Sequence, residues 1–457
     1  MKVVGARLPR YDGVGHVTGR TTYVDDVRLP GMLHAAALRS PLHHARITRL
    51  DTGAAEAMAG VHAVITHADV PLLVYGHLSG GGIPGDEPLL AKDHVRYRGQ
   101  PIALVAADTV DTARAACAAI EVDYEELPTL FDVRAAFDAD APVVNETFGN
   151  WYDQYEGNLD VRQIRKGDID AAMDAADLIV SGVYRTQSQE QVPLETQVCV
   201  AVPEPDGRLT VHTCTQAMYF SLGVVCSHLQ LPMSQVKMVG GTVGGGFGGK
   251  VDTASDTLTA LAAQKTERPV KWRWTREEEM LASGNRGPWH MEIIDAVSHD
   301  GWILGRKMLA IHDAGAYGRF SVYGVTKHSF HHTGAYTIPN LHFDGYVCFT
   351  NRVPTSAMRG YGVTSVSFAV ETHMSRIATE LGVDPYELRL KNANRIGDTS
   401  PNGIRYMDPS TVDVLHAIAG ATDTELAAPY SDATREMREG EWLPEHLVGQ
   451  LSHSEDH

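Results

Sequence analysis

The sequence predicts an α+β fold in which strands and helices follow one another in mixed order. Three stretches carry this prediction. Residues 45–50 alternate between apolar and polar side chains, as a strand does, and residues 101–106 form the continuous apolar run of a buried strand. Residues 363–381 have the length of a long helix. With 457 residues, the chain has room for two or three domains.

The beginning of the chain predicts a small α+β domain. After the first strand, an alanine-rich stretch at 52–58 favours a helix, and residues 61–65 favour a second strand. Past the buried strand, Asp108 is a candidate N-cap for a helix that reaches Ile120. Residues 121–125 then return to strand alternation. We therefore predict that the first domain covers residues 1–128.

A second domain is predicted to follow a linker. Periodicity weakens over residues 129–165, which favours the linker. Beyond it, residues 197–202 and 208–214 favour strands, and residues 218–229 favour a helix. Strands and helices continue to alternate to residue 408, so we assign residues 166–408 to this domain.

Two later helices have clear ends in the sequence. Gly382 is typical of the residue that follows a helix, here the one over 363–381. Asp384, Pro385 and Glu387 then supply an N-cap acid, a first-turn proline and an acid at the third position of the next helix.

The last segment, residues 409–457, is predicted to be an acidic tail. From Ser431 onward it has seven acidic residues and two arginines. One interpretation is a solvated or partly ordered tail, and the other is a segment that docks on a partner.

Composition and charge narrow the function classes. The chain is 43% hydrophobic and 21% charged, as in an ordinary globular protein, and its net charge of −18 argues against nucleic-acid binding. The N-terminus has no apolar leader and no stretch has the length of a membrane span, so we expect a cytoplasmic protein. The five cysteines are scattered, which predicts reduced core residues and no compact iron–sulfur motif.

A glycine-rich segment, residues 240–250, is the candidate cofactor cradle, and we call it the glycine loop. Seven of its eleven residues are glycine, so its backbone can approach a bulky ligand closely. It matches G-x-x-x-x-G-K, but Val251 stands where a P-loop needs a Ser or Thr hydroxyl for Mg²⁺. It also matches G-x-G-x-x-G after a candidate strand at 236–239, although no clear βαβ unit follows. A turn that serves only tight packing is the remaining alternative.

Three segments together resemble a known family. They are Thr213-Cys214-Thr215-Gln216, the glycine loop around Phe247, and the run PTSAMRGYG at residues 354–362. In this order they resemble the molybdenum-cofactor subunit of the xanthine oxidase family of molybdenum hydroxylases. The likeness begins at Val17 and extends to about residue 400. It implies an aldehyde oxidase/xanthine dehydrogenase a/b hammerhead domain, followed by the first molybdopterin-binding domain.

The resemblance implies roles for five residues around the cofactor. Gln216 matches the catalytic glutamine whose amide hydrogen-bonds an oxygen ligand of molybdenum, with no direct protein ligand to the metal. Phe247, between Gly246 and Gly248, matches the residue whose backbone N–H reaches the same centre, and Arg359 matches the arginine beside it. Fixed donors of this kind stabilise developing negative charge. Two structural alternatives stay open: Gln216 could tie two strands together, and Arg359 could be an ion-pair partner.

Three further positions bear on the substrate. Val251 stands where xanthine oxidases have an acid that binds the purine, which makes xanthine a poor candidate. Lys327 matches their substrate-facing arginine and Tyr361 their ring-stacking phenylalanine. A cation, an aromatic face and an apolar wall suit a carboxylated heteroaromatic ring such as nicotinate. The alternative for Lys327 is a surface lysine.

Three histidines beside Lys327 have spacings that a metal could use on a helix. They are His328, His331 and His332. No nearby carboxylate or cysteine completes a ligand set, and Gly334 ends any helix soon after. We therefore expect them to be packing or pocket-rim residues.

The resemblance also implies a multi-subunit enzyme. The expected cofactor is molybdopterin with molybdenum, possibly as the cytosine dinucleotide. The family's catalytic glutamate has no counterpart in this chain, so we expect a second molybdopterin-domain subunit that carries it, as in a naturally split large subunit. A [2Fe-2S] subunit and an FAD subunit are expected to conduct electrons. Water would be the oxygen donor and a small heteroaromatic ring the substrate. The alternatives are a xanthine, purine or aldehyde dehydrogenase, an aromatic-CoA reductase of the same family, or a non-catalytic scaffold.

Overall fold

The structure is a computed structural model in which the chain divides into two compact units. The first unit is Met1–Pro128 with Glu190–Asn285, and the second is Thr129–Gln189 with Arg286–His457. Within them the structure describes residues 5–71, 86–146, 151–152, 162–252, 254–422 and 424.

The strands of the described residues are numbered in chain order. They are β1 (Leu33–Arg39), β2 (Ala45–Asp51), β3 (Val61–Ile65), β4 (His94–Val95), β5 (Pro101–Ala107), β6 (Glu121–Glu126), β7 (Trp151–Tyr152), β8 (Gln163–Lys166), β9 (Leu178–Thr186), β10 (Val198–Pro203), β11 (Leu209–Thr213), β12 (Val236–Gly240), β13 (Val270–Arg273), β14 (Trp289–Val297), β15 (Ile303–Gly315) and β16 (Asn340–Phe349).

The α-helices of the same residues are numbered likewise. They are α1 (Gly13–Val17), α2 (Gly53–Glu56), α3 (Val110–Ala119), α4 (Ile169–Asp174), α5 (Met218–Leu229), α6 (Ala254–Thr266), α7 (Arg276–Ala282), α8 (Ser321–His331), α9 (Val363–Leu381), α10 (Pro385–Asn392) and α11 (Thr411–Ala421).

A seven-stranded sheet organises the first unit. Its strand order is β12-β11-β10-β13-β1-β5-β3, and a smaller sheet has the order β4-β2-β6. Every residue of β5 is buried because helices cover both faces of the large sheet. Val105 packs in the apolar cluster that includes residues of α3, whereas Leu104 packs in the cluster that includes residues of α6. The predicted strands at 45–50, 61–65, 101–106 and 121–125 are confirmed, and so is the α+β class.

The predicted N-cap at Asp108 is wrong by one residue. Thr109 caps α3, and its Oγ1 accepts a hydrogen bond from the backbone N–H of Thr112 at 3.1 Å. Asp108 instead lies 2.8 Å from Nε2 of His62. Asp and Thr are both favourable N-cap residues. Here Asp108 makes a long-range contact with His62, and Thr109 forms the cap.

The elements that lead to the glycine loop follow the prediction closely. The two predicted strands are β10 and β11, and the predicted helix is α5 with the same ends. The candidate strand before the loop is β12, which pairs in parallel with β11. The loop therefore leaves the sheet beside the end of β11.

A second sheet organises the other unit. Its strand order is β7-β16-β15-β14-β9, and β8 also pairs with β16. The two short strands β7 and β8 lie within the predicted linker, where weak periodicity gave no sign of them. They form because β16 offers backbone partners along its length. Of the other linker residues, 147–150 and 153–161 lie outside the described residues.

The two helix ends predicted late in the chain are confirmed. Gly382 ends α9 with φ +71°, a left-handed conformation that glycine adopts without strain. The Oδ1 of Asp384 accepts hydrogen bonds from the N–H groups of Tyr386 and Glu387, at 2.8 and 3.1 Å. Residues 411–421 of the predicted tail form α11. The acidic segment from Ser431 lies outside the described residues, and its two interpretations stay predictions.

The cysteines and the helix lengths can also be compared with the sequence. All five cysteines are buried and free of disulfides, as expected for reduced core residues. Across the described ranges, every helix is too short or too polar to cross a lipid bilayer.

A buried ion pair lies at the centre of the second unit. Arg306 and Asp295 are paired across β14 and β15, and both side chains are fully buried. The guanidinium makes two parallel bonds to the carboxylate, at 2.8 and 2.6 Å, and a third to the carbonyl of His332 at 2.9 Å. Bidentate geometry and the third acceptor offset the cost of removing both charges from water.

We predict that Arg306→Met lowers the free energy of unfolding of the second unit by about 3–5 kcal/mol, because it leaves Asp295 charged and buried without its partner. Arg376→Ala is the control, since Arg376 pairs with Glu380 on an exposed helix face, and its loss should have little effect on stability. Urea titration followed by fluorescence measures both. Equal losses would contradict the prediction, and adding Asp295→Leu to Arg306→Met should restore much of the stability.

Candidate functional site

Strand pairing brings Gln216 and the glycine loop together. β11 and β12 are parallel neighbours, with Thr213 beside Gly240 at their ends. Gln216 follows β11 by three residues, and the loop follows β12 directly. Because both segments leave the same edge of the sheet, they are adjacent. Three predicted site residues, Gln216, Gly246 and Gly248, are therefore in contact or nearly so.

Gln216 holds the loop through its side-chain oxygen. Its Oε1 accepts the backbone N–H of Gly248 at 2.9 Å and that of Lys250 at 3.4 Å. Its own backbone N–H donates to the carbonyl of Lys250 at 2.8 Å. The amide nitrogen Nε2 has no acceptor in the part of the chain that the structure describes. One atom of the amide therefore ties the loop down, and the other stays available.

Gly246 leaves the space that Gln216 occupies. A Cβ at this position would lie 2.6 Å from Cδ of Gln216, and it would also collide with Oε1. No side chain larger than hydrogen fits without moving the amide. The loop glycine is therefore a requirement of this contact, beyond general backbone freedom.

Phe247 has an unusual backbone conformation within the loop. It has φ +53°, a left-handed conformation that is uncommon for a residue with a side chain, and it lies between Gly245 and Gly248, which also have positive φ. Its side chain is 47% exposed. Its N–H donates to no acceptor among the described residues, so this turn offers a free donor of the kind that anion-binding loops use.

A buried ion pair fixes the part of the loop from Gly244 to Lys250. Nζ of Lys250 lies 2.7 Å from Oε2 of Glu195, and Lys250 is fully buried. The same oxygen accepts the N–H of Gly244 at 2.8 Å, and the N–H of Glu195 donates back to the carbonyl of Gly244 at 3.1 Å. Lys250 therefore cannot serve as a P-loop lysine, which agrees with the objection from Val251.

A second buried carboxylate supports the loop indirectly. Nε2 of Gln197 donates to the carbonyl of Gly249 at 2.8 Å, and the N–H of Gln197 donates to Oε2 of Glu279 at 2.8 Å. Burial raises the pKa of Glu279 to about 7. Glu195, Gln197 and Glu279 are the loop-supporting residues that reasoning from the sequence did not assign. All of them lie outside the three segments that carried the family resemblance.

A cavity of about 800 Å³ opens beside the loop within the first unit. Gly244, Gly245 and Phe247 form one side of it, and Val192 and Leu194 form part of another. Leu194 is 96% exposed and Val192 is more than half exposed. Apolar side chains exposed around a concave surface are typical of a binding site. Val251, the predicted substrate position, is half-buried just past the loop.

The other predicted residues lie in the second unit. Arg359, in the segment between β16 and α9, is exposed, and Nη2 of Arg286 donates to its backbone carbonyl at 2.6 Å. Its guanidinium forms no ion pair within the described ranges. Gly360 and Gly362, on either side of Tyr361, both have positive φ. The backbone is thus fixed while the Arg359 side chain is available.

Tyr361 lies against α8, the helix that contains Lys327. The Tyr361 hydroxyl donates to the carbonyl of Phe320, and its ring stacks on Tyr323 with centroids 6.1 Å apart. Nζ of Lys327 lies 5.1 Å from the centre of the Tyr323 ring. Lys327 is half-buried, so it differs from an ordinary surface lysine. A cation and two aromatic faces are therefore adjacent within this unit.

The neighbouring histidines serve packing. His328 and His332 are fully buried, and Trp289 stacks between His312 and His328 at 4.2 Å from each. Burial lowers the pKa of His312 and of His332 to about 3, so both are neutral at pH 7. His331 is the exposed member. In the residues that the structure describes, no three His, Cys, Asp or Glu side chains are placed to hold a metal ion.

We predict that Gly246→Ala displaces Gln216 and frees the Gly248 amide. The unfolding free energy should fall by about 1 kcal/mol, the value of a typical hydrogen bond, and Gly248 should exchange its amide hydrogen faster. Gly223→Ala is the control, because a Cβ there meets nothing within 4 Å in the interior of α5. It should leave stability unchanged or raised by about 0.5–1 kcal/mol. Equal protection of Gly248 in both variants would refute this contact.

Comparison with known proteins places these features in a family. Residues 18–128 match the family described as "Aldehyde oxidase and xanthine dehydrogenase, a/b hammerhead domain". Residues 152–393 match the "Molybdopterin cofactor-binding domain". The second match covers more than half of the chain, and it includes the glycine loop with Gln216 as well as Lys327, Arg359 and Tyr361.

Individual relatives agree with the domain matches. The chain is 36% identical over 393 residues to a probable xanthine dehydrogenase subunit of Bacillus subtilis (strain 168), which covers 86% of this chain and 51% of that protein. It is 34% identical over 399 residues to "Nicotinate dehydrogenase large molybdopterin subunit" of Eubacterium barkeri, with 87% and 90% covered. The chain thus spans about half the length of the first relative and most of the second.

Solved structures show the same architecture. The aldehyde oxidoreductase from Desulfovibrio gigas superposes with a TM-score of 0.85 at 34% identity, over 92% of this chain and 46% of that one. Quinoline 2-oxidoreductase from Pseudomonas putida 86 has a TM-score of 0.85 at 27% identity, over 95% and 55%. The chain therefore belongs to the xanthine oxidase family of molybdenum enzymes and contains its a/b hammerhead and molybdopterin cofactor-binding domains.

Proposed function

We propose that the chain is the first part of a molybdopterin-binding subunit in a multi-subunit molybdenum hydroxylase. Its substrate would be an N-heteroaromatic ring similar to nicotinate, with water as oxygen donor. The observation that carries the proposal is the pairing of Gln216 with the glycine loop. That contact uses the amide oxygen and leaves two donors, Nε2 of Gln216 and the N–H of Phe247, without acceptors among the described residues.

The residues present fit the cofactor. Molybdopterin is a bulky, oxygen-rich group, and Gly244 and Gly245, which line the cavity without side chains, allow such a group to approach the backbone. Two fixed, neutral donors suit the oxygen atoms of an anionic centre. When bound, the cofactor would supply two-electron oxidation and the transfer of an oxygen derived from water.

The protein's own part is positioning and charge stabilisation. Nε2 of Gln216 and the N–H of Phe247 donate hydrogen bonds in fixed directions, because the ion pair between Lys250 and Glu195 holds the loop. Donors that need no reorganisation stabilise charge that develops during a reaction. Arg359, exposed in the second unit, would add a positive charge.

Each unit by itself offers features that suit a carboxylated ring. The second unit offers Lys327 for a carboxylate and Tyr361 for stacking on the ring. The first unit offers the apolar Val251, which cannot hydrogen-bond a purine. Relatives named for nicotinate and for nicotine, at 34% and 33% identity, support this substrate class.

The partners and the complete cofactor are part of the same proposal. Exposed Val192, Leu194 and Phe247 beside the loop favour a covering subunit, which would be a second molybdopterin-domain chain with the catalytic glutamate. A [2Fe-2S] subunit and an FAD subunit would carry electrons away, and the cofactor could have the cytosine dinucleotide form. The cytoplasmic location and the boundaries at residues 128, 165 and 408 stay predictions.

Oxidation of an aldehyde is the second candidate. An aldehyde oxidoreductase is 33% identical over 450 residues, and it shares the fold at a TM-score of 0.85. This enzyme would use the same cofactor contacts and differ in the pocket. A purine or aromatic-CoA substrate, or a scaffold without metal, has less support from the residues described.

The assembled complex should contain molybdenum in a stoichiometric amount and should oxidise nicotinate faster than xanthine or an aromatic aldehyde. The reason is that Lys327 can bind the carboxylate and Val251 cannot bind a purine. Elemental analysis and a steady-state substrate panel measure these two properties. A preference for xanthine or for the aldehyde would refute the substrate class, and an active complex without molybdenum would refute the function.

Gln216→Glu should reduce turnover by about 10²–10³-fold, the cost of losing one stabilising donor. It keeps an oxygen acceptor for Gly248 and Lys250, so the loop, subunit assembly and molybdenum content should be retained. Gln216→Ala, which also loses the acceptor, should reduce turnover and loosen the loop. Gln235→Ala, at an exposed position outside the site, is the control. Normal turnover in the glutamate variant would reduce Gln216 to a structural role.

A further inference from the structure

A positively charged cleft lies in the first unit, next to the cavity beside the glycine loop, with which it shares Asp25, Leu194, Thr196 and Arg273. We call it the basic cleft. Its volume is about 540 Å³. The charged side chains that line it are Arg28, Arg114, Lys271, Arg273, Arg276 and Asp25. Five cations and one acid in a chain of net charge −18 are a local reversal of sign. None of the residues of the glycine loop lines the cleft.

Strand register and helix packing build the basic cleft. His34 of β1 lies beside Lys271 of β13 in parallel register. Arg273 is two residues further along β13, so it extends on the same face of the sheet as Lys271. Helix α3 packs on this face through Ala36 and contributes Arg114. The cations thus converge from strand β13, helix α3, the beginning of α7 and the segment that precedes β1.

One carboxylate compensates only part of this charge. Asp25 lies 2.7 Å from Nζ of Lys271 and 3.2 Å from Nη1 of Arg273. Arg28, Arg114 and Arg276 have no carboxylate within ion-pair distance in the described ranges. Three guanidinium groups therefore remain without a direct counter-charge.

Two donors at the wall have no acceptor. Nη1 of Arg276 and Nε1 of Trp274 are buried and unpartnered among the described residues. Nη2 of Arg276 donates to the carbonyls of Pro193 and Leu194. A buried donor without an acceptor costs free energy, and rotation of the guanidinium could turn Nη1 toward a ligand in the cleft.

The neighbouring positive charges also affect the pKa values of groups on the floor of the cleft. Burial lowers the pKa of Lys271, and the charges of Arg28 and Arg273 lower it further, while Asp25 opposes them. Burial and the same kind of cationic neighbours lower the pKa of His34. An entering anion would relieve this repulsion.

We propose that the basic cleft binds a small molecule with a diphosphate group. Guanidinium groups bind phosphate oxygens through paired hydrogen bonds, and the three without a carboxylate partner are suited to do so. Val110, the first residue of α3, also lines the cleft, so the positive end of that helix adds to the attraction. The inference does not need the proposed function to hold, because Arg28, Arg114 and Arg276 line the cleft and not the cavity beside the glycine loop.

The test is isothermal titration of the full chain with inorganic diphosphate, inorganic phosphate and citrate at low salt. Diphosphate should bind at least about tenfold more tightly than phosphate, because it can engage more than one guanidinium. Citrate, which has similar charge but carboxylate chemistry, should bind more weakly than diphosphate. Binding should weaken as salt is added.

Arg114→Gln and Arg276→Gln should each weaken diphosphate binding by about tenfold. Arg114 is exposed on α3, so its variant should fold even if loss of the Arg276 contacts disturbs residues 193–194. Arg20→Gln, an exposed arginine outside the cleft, is the matched control. Citrate binding as tight as diphosphate, equal losses in the control, or no saturable diphosphate binding at millimolar concentration would overturn the proposal.

Discussion

The geometry of the glycine loop depends on one buried ion pair. Glu195 binds Nζ of Lys250, the last residue of the loop, and the N–H of Gly244 near its middle. A buried pair of this kind is costly unless its remaining hydrogen-bonding capacity is used, and the Gly244 contact uses part of it. The pair thus converts a stretch of permissive backbone into a fixed ring. Without it, the freedom that glycine provides would make the loop mobile.

Further contacts complete the fixation at successive positions. Gln216 binds the N–H of Gly248, and Gln197 binds the carbonyl of Gly249. Gln216 follows β11, and Gln197 directly precedes β10 of the same sheet. The sheet therefore supports the loop through these two side chains. The fixation stops at Phe247, whose N–H remains outside the network of described contacts. A rigid turn with one free donor is what pre-organised stabilisation of a ligand requires, because the cost of ordering is met during folding.

Local sequence signals predicted the elements better than they predicted the supports of the site. Apolar runs and caps located β5, α5 and α9, since these depend on neighbouring residues. The cap of α3 was misplaced by one position because Asp108 contacts His62, 46 residues away. The supporting pair of Glu195 and Lys250 is 55 residues apart, and the cations of the basic cleft range from residue 28 to residue 276. Contacts of that separation follow from topology, which local periodicity does not contain.

Family resemblance located Gln216 and Phe247, yet it did not show how they act together. The structure adds that the two atoms of the Gln216 amide have different tasks, since Oε1 holds the loop and Nε2 stays available. The structure also shows two kinds of hydrogen-bond donor within the first unit. The glycine loop offers neutral dipoles, whereas the basic cleft offers full charges. Attraction between charges at a solvent-accessible cleft is screened by salt, and fixed dipoles in direct contact with a ligand are affected far less. Ionic strength should therefore act strongly on a ligand of the cleft and weakly on one held by the loop, which makes the two sites separable in a single preparation.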